Sequence, residues 1–382
     1  MANYDYEIVN GRKIRVRPKE TVSEIDKNGY FRRQPNHFTT PFGDGENDLK
    51  AEGNKRYRLV WAKLCHWSNR AAIVRELEGL EDQISVNMVE HAPHEKNLGW
   101  EYVYNENNID PVLGDQFLSE AYYRADDDYQ GRTTVPALID TTTGKVVNND
   151  YNWLTTYFEV NFRPWHKKGA PELYPVELRE EIDKMNLWLF DNINNAVYRS
   201  SFSRSNEGHF DGVNTFYAAM DRLEKRLETN RFLFGDYVTD SDIRLYVTLA
   251  RLDIRYTAQL GETKRPLYTY KNLWGYAKEL WEIPAFTHHT DFAAIIRQGR
   301  IEGEEDGFRA STHYDLALPK IDWDAQWKVS TERAYLSSDP THPIYLGNNR
   351  RFDIDPTWYD LGAESPKKEE KETPPSCGCC CG

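Results

Sequence analysis

The stretch Arg58-Leu59-Val60-Trp61-Ala62-Lys63-Leu64-Cys65-His66-Trp67-Ser68-Asn69-Arg70 opens on an apolar run of strand length, and beyond it Ile73, Val74, Leu77 and Leu80 recur at helical spacing. A strand, a short turn and a helix therefore follow one another, and Cys65 stands where the helix begins. The first turn of a helix carries unpaired backbone N–H groups and the positive end of the macrodipole, so a thiol placed there ionises more readily than a free one. The thiolate is the reactive form. Ser68 takes the third position after it, giving C-x-x-S in place of a dithiol C-x-x-C. A disulfide formed at Cys65 then needs an external thiol to resolve it.

Outward from this stretch the pattern continues. The first strand ends near Ala62, the helix runs to about Leu80, and Ile84, Val86 and Met88 alternate with Ser85 and Asn87 as a second strand. A polar loop from His91 to about Gly114 carries Trp100, and Asp115 to Arg124 reads as a helix with Phe117, Leu118, Ala121 and Tyr122 on one side. Ala137 to Asp140 and Val146-Val147 are two strands around a tight turn at Thr143-Gly144, followed by a helix after Asn149. The order β-α-β-α-β-β-α is that of a thioredoxin-like domain. A proline at the start of a strand cannot donate to the ladder and belongs at an edge or in a cis bond. By analogy of fold, Val135-Pro136 is expected beside the cysteine, with the Val135 backbone offered to a bound thiol.

Past about residue 165 the strand signals stop. Val213, Phe216, Tyr217, Met220, Leu223 and Leu227 keep one helical face, and Leu273, Trp274, Ala277, Leu280 and Trp281 keep another. Between them Val238-Thr239-Asp240-Ser241-Asp242-Ile243 combines a capping box with a hydrophobic staple. The expected class is α/β plus all-α: a 1–50 extension, a thioredoxin-like domain over 51–160, an all-helical domain over 165–300, a second extension over 301–364, and a disordered cysteine-rich tail over 365–382. The first extension shows no sustained period and reads as an extended arm anchored by Phe31-Arg32-Arg33 and Phe38 to Phe42. Arg309 to Asp324 reads as a further arm or a short helix.

Composition narrows the function. With 382 residues and 39% hydrophobic content the chain has material for two cores. A formal net charge of −13 argues against nucleic acid as a partner. No run is long and apolar enough to span a membrane, and Met1 to Tyr6 lacks a signal-peptide pattern, so the expected location is cytoplasmic. Cys65 stands alone in the body while Cys377, Cys379, Cys380 and Cys381 crowd the end, a distribution that suits a reducing compartment. The tail leaves metal binding, lipid attachment and mixed disulfides open, and no metal is assigned. Eleven Trp and 24 Tyr exceed what a core needs, leaving some to line a site for a planar ligand and others to pack between helices.

Seven short motifs stand in order: Cys65-His66-Trp67-Ser68-Asn69-Arg70, Gly99-Trp100-Glu101-Tyr102, Gly131 to Leu138, Val147-Asn148-Asn149-Asp150-Tyr151, Ala196-Val197-Tyr198-Arg199, Thr239 to Leu245, and Arg251 to Tyr256. As a set this resembles the Xi class of glutathione transferases, the glutathionyl-hydroquinone reductases, whose corresponding texts read C-P-W-A-H-R, G-W-x-F, G-R-x-T-V-P-V-L, V-N-N-E-S, G-V-Y-K, T-E-A-D-I-R-L and R-F-D-x-V-Y. The likeness runs from about residue 30 to about residue 290. It implies a glutathione-dependent reductase, usually a homodimer, that removes glutathione from glutathionyl-hydroquinones with glutathione as co-substrate and no metal or nucleotide.

In that resemblance Cys65 is the nucleophile. Trp100, Arg132, Val135, Asp150 and Tyr151 take the positions that hold the tripeptide, with Asp150 receiving its ammonium, and Tyr198 and Tyr256 face the aromatic substrate. Departures are His66 for proline, Asp150 for glutamate, Tyr151 for serine, and Ile295 to Arg300 without the family's paired tyrosines. Taken by themselves the residues leave alternatives open. Cys65 is a nucleophile or a small buried apolar group, His66 a solvent-facing ring or a partner of the thiolate, and Asp150 a ligand or a helix cap. Tyr198 and Tyr256 face substrate or pack between helices. At the level of function the alternatives are a general thioltransferase on mixed disulfides, a different low-molecular-weight thiol, and a non-catalytic ligand-binding protein of this fold.

Overall fold

The computed structural model describes residues 4–17, 23–91, 98–261, 265–301 and 321–338. The cysteine-rich tail and most of the second extension lie outside the described residues.

The order expected from the sequence is present. Strand β3 (Tyr57–Trp61) leads into α1 (His66–Leu77) and β4 (Ile84–Met88), and α2 (Leu118–Ala125) leads into β7 (Ala137–Asp140), β8 (Lys145–Asn148) and α3 (Leu154–Val160). The sheet runs β4-β3-β7-β8, with β3 parallel to β4 and the other pairs antiparallel. Along β3 the side chains serve two cores in turn. Tyr57, Leu59 and Trp61 pack with Ile73 and Val74 of α1, while Val60 packs with Leu118, Ala121 and Tyr122 of α2. A sheet covered on both faces needs a strand that is apolar throughout, and that is what the run after Arg58 supplies.

Element ends differ from the periodic reading for local reasons. Helix α1 stops at Leu77 because Gly79 adopts φ +72°, a conformation that L side chains rarely take and that closes the helix. Helix α2 starts at Leu118 because the Glu120 carboxylate accepts from the N–H groups of Gln116 and Phe117, which fixes the preceding residues as its cap. Asp115 stays outside and pairs with Arg124.

The amino-terminal extension is more ordered than an extended arm. Tyr6–Val9 (β1) and Arg12–Arg15 (β2) form a two-stranded hairpin, joined by Asn10 and Gly11 at φ 51° and 79°. An Asn-Gly pair is the preferred two-residue hairpin turn, so the signal was in the text; the strands it joins are too short and too polar to show an apolar alternation. Two further short strands, β5 (Glu90–His91) and β6 (Trp100–Glu101), pair across the polar loop. Phe31 and Phe42 are buried, as the anchoring role expected of them requires.

Past Asn148 the regular elements among the described residues are helical. The main ones are α4 (Arg179–Leu189), α5 (Ala196–Phe202), α6 (Asn206–Arg226), α7 (Asp240–Arg251), α8 (Thr257–Gln259), α9 (Lys271–Trp281) and α10 (Pro284–His289). The faces expected on α6 and α9 are buried, except that Trp274 is only partly so. At the start of α7 the Asp242 carboxylate reaches back to the Thr239 N–H at 2.8 Å, half of the expected capping box. The apolar core is continuous from Trp61 and Ile73 through Val247 to Phe286, so the sheet and the helices share it. Two π-helical turns interrupt the helices, Phe190–Asn194 before α5 and Leu252–Tyr256 after α7. Such turns re-aim side chains, and these two precede Tyr198 and contain Tyr256. No helix among the described residues is long and apolar enough to cross a membrane.

Candidate active site

Cys65 sits at the N-cap of α1, half-buried, in a turn held from several sides. Its own N–H donates to the Ala62 carbonyl at 3.0 Å. The Ser68 hydroxyl accepts from the Ala62 N–H and donates back to the Ala62 carbonyl, both at 3.1 Å. Behind the turn lies Arg251, fully buried on α7, whose guanidinium donates to the carbonyls of Lys63 and Leu64, each at 2.9 Å, and to Asn69 Oδ1 at 3.2 Å. Burial disfavours the Arg251 charge, and Tyr256 and Cys65 are the leading groups that favour it. A helix from the second half of the chain thus sets the backbone on which the sulfur stands.

The rest of the C-H-W-S-N-R stretch turns inward. His66 is buried instead of facing solvent, with Nδ1 at 3.2 Å from the hydroxyls of Thr248 and Tyr256. Burial, and then the charges of Arg251 and Arg33, push its pKa well below the ordinary value, so the ring is neutral and offers no positive charge to a thiolate. Asn69 donates to the His289 carbonyl at 2.7 Å, and Arg70 donates to the Tyr151 carbonyl.

In front of Cys65 opens a cavity of about 470 Å³. Cys65, Trp67, Trp100, Arg132, Val135, Tyr151, Tyr198 and Tyr256 all line it. The Val135–Pro136 bond is cis, and the Cys65 Sγ lies 3.7 Å from the Val135 carbonyl oxygen. Trp100 stacks on His91 at 3.8 Å and donates its indole N–H to the Thr133 carbonyl at 3.1 Å. The Tyr151 ring rests on Trp67 at 4.7 Å and Phe190 at 5.9 Å. Tyr198 and Tyr256 stay protonated: burial raises both phenols, and negative charge at Cys65 raises them further.

Asp150 does not line the cavity. Its carboxylate accepts from Asn36 and from the Asn152 N–H, each at 2.9 Å, which is the geometry of a turn cap.

Residues of the amino-terminal arm complete the cavity, Glu24, Arg33 and Gln34 among them. Glu24 holds Arg132 through two hydrogen bonds, at 2.8 and 2.9 Å, and Gln34 brackets the Arg132 backbone. Burial raises the Glu24 pKa, but Arg132, the Gln34 N–H and Arg33 outweigh it and leave the carboxyl below its ordinary range. Arg33 lies over Trp67 at 4.7 Å and Tyr198 at 4.5 Å. In the sequence Arg33 shows only as part of an aromatic-basic anchor, because its hydrogen-bond partner Asn195 is 162 positions away.

Residues 197–279 match the family model of the glutathione S-transferase C-terminal domain. The glutathione S-transferase omega-like 2 of Schizosaccharomyces pombe is 35% identical over 280 residues, 70% of this chain and 88% of that one. A glutathionyl-hydroquinone reductase of Escherichia coli is 32% identical over 240 residues, 63% and 73% of the two chains. The crystal structure of the Xi glutathione S-transferase of Phanerochaete chrysosporium superposes with a TM-score of 0.69 at 30% identity, over 81% of this chain and 97% of that one. The chain belongs to the Xi class of glutathione transferases. Beside the cysteine His66 is buried and neutral, and Tyr151 packs against the Trp67 indole at the cavity's edge.

Proposed function

We propose that this Xi-class protein is a glutathione-dependent reductase that removes glutathione from glutathionyl-hydroquinones, with Cys65 as nucleophile. The observation that carries the reading is the placement of the Cys65 sulfur at a helix start, open to a cavity and 3.7 Å from the cis-Pro backbone that would align a thiol compound. The thiolate attacks the glutathione sulfur, the carbon–sulfur bond breaks toward the ring, and the ring carbon takes a proton as the hydroquinone leaves. A second glutathione attacks the Cys65 mixed disulfide, returning the thiolate and releasing oxidised glutathione. The protonated phenols of Tyr198 and Tyr256 stand ready to donate to the oxygens of the leaving ring. Trp100, Arg132, Val135 and Tyr151 border the tripeptide, and Asp150 supports the cavity lining through Asn36.

The test is turnover of glutathionyl-menadione by the wild type and by Cys65→Ala. Wild-type protein should release menadiol and oxidised glutathione, and C65A should lose at least about a thousandfold in kcat. Equal turnover by both proteins would remove the nucleophile. Wild-type activity confined to mixed disulfides would make the protein a general thioltransferase instead.

A further inference from the structure

Among the described residues five arginines line the cavity, Arg17, Arg33, Arg132, Arg204 and Arg255, against one acidic side chain, Glu24. The whole chain carries a formal net charge of −13, so this cationic lining runs against the protein's own balance. Glu24 is committed to Arg132. Glutathione brings two carboxylates and an ammonium, so among the described lining residues guanidinium groups still outnumber carboxylates with the tripeptide bound.

The excess has a location. Arg33 and Arg255 both line the cavity and both act on the Tyr198 phenol. The Arg33 guanidinium carbon is 4.5 Å from the Tyr198 ring centre, 4.7 Å from that of Trp67 and 5.7 Å from that of Tyr151. Its Nε donates to Asn195 Oδ1 at 3.0 Å, which fixes the plane of the fork. One of its terminal nitrogens is buried with no acceptor among the described residues. A desolvated N–H donor without an acceptor is costly, and a bound anion removes that cost.

We propose, building on the Cys65 reading above, that the aromatic half of the substrate carries a carboxylate and that Arg33 is its receptor. The ring lies among Trp67, Tyr198 and Tyr256, while the Arg33 fork takes the carboxylate in the planar geometry that guanidinium and carboxylate share. Low-dielectric aromatic walls strengthen the pairing and make it selective for charge. The substrate class is the glutathionyl conjugate of a hydroquinone bearing a ring carboxylate.

The experiment compares kcat/KM on the glutathionyl conjugates of carboxybenzoquinone and of its methyl ester, which differ in charge and little in shape. Wild type should prefer the acid by about tenfold to a hundredfold, the range that one charge-assisted hydrogen bond supports. In Arg33→Gln the acid-to-ester ratio should fall to about one, and Arg33→Lys, which keeps the charge but not the fork, should lie between. Equal wild-type rates on acid and ester, or an R33Q enzyme that keeps the preference, would overturn the assignment while leaving Cys65 in its role. Failure of wild type to turn over either conjugate would remove the Cys65 reading and this inference with it. Should R33Q not fold, R33K and direct binding of free carboxyhydroquinone against its ester to wild type, followed by tryptophan fluorescence, decide the matter by the same ratio.

Discussion

On one side Cys65 stands on a turn whose polar partners are inside the protein; at the arm, Glu24 holds Arg132 through a contact that reaches solvent. The Arg251 side that grips Lys63 and Leu64 is fully buried. The Glu24–Arg132 pair is open, with side-chain exposures of 20% and 41%. Buried polar contacts fail expensively and as a set, whereas half-exposed ion pairs are weak and separable. The sulfur is therefore held in one position, and the wall that borders the proposed tripeptide site is held less tightly. Breaking each wall in turn should show effects of different size.

The largest effect is expected at Arg251. Arg251→Met fills much of the same volume but leaves the carbonyls of Lys63 and Leu64 and the Asn69 side chain without their donor. The loss should be about 3–5 kcal/mol of folding stability, read as a fall in the urea midpoint, with turnover lost in parallel as the turn relaxes. If R251M kept the wild-type midpoint, the buried wall would not be the rigid one.

This contrast also marks what the sequence made legible. The sheet and α1 could be read because two-sided burial writes itself as a continuous apolar run and a cis-Pro element as a strand-initial proline. Cys65, Trp100, Val135 and the two tyrosines were found through short motifs that keep their order, and all reach the cavity. Arg251 appeared in a motif without a role, since nothing local says that a helical arginine will reach back 188 positions to the Lys63 carbonyl. Arg33 and Glu24 were hidden for the same reason: their meaning lies in where the arm crosses the cavity, and no periodicity encodes that. The Asn10-Gly11 hairpin gives no apolar pattern, because Ile14 is the one apolar side chain that its strands bury.

A smaller effect is expected from pH. His66 is held neutral in the folded state by burial and by neighbouring arginines, while in the unfolded chain it takes up a proton near its ordinary value of about 6.5. The unfolded state then binds a proton that the folded state refuses. Stability from this group is fully present above about pH 6.5 and is lost as pH falls below it, by at most about 1.4 kcal/mol per pH unit. His289, lowered to about 4 chiefly by burial, adds a slope of the same sign that ends at about pH 4. Unfolding free energies measured from pH 7.5 to 5 should fall less steeply in His66→Gln than in wild type, so the two curves converge. Parallel curves would mean that the ring is not the neutral, enclosed group described above.

The smallest effect on folding belongs to the exposed wall. Glu24→Gln removes the charge of the pair with Arg132 and keeps an acceptor for the Gln34 N–H. Because Arg132 is more than a third exposed, screening holds the expected loss below about 1 kcal/mol. The sign with pH is the same as for His66 and only the window differs: a carboxyl held below its ordinary range contributes stability above about pH 4.5 and loses it as pH falls further. E24Q and wild type should therefore converge below that range. The visible change should be kinetic, since freeing Arg132 alters the border of the proposed tripeptide site, and KM for glutathione should move several-fold while kcat on the conjugate does not. If E24Q instead lost as much stability as R251M, the arm would be held as tightly as the turn, and the contrast between the two walls would have no physical basis.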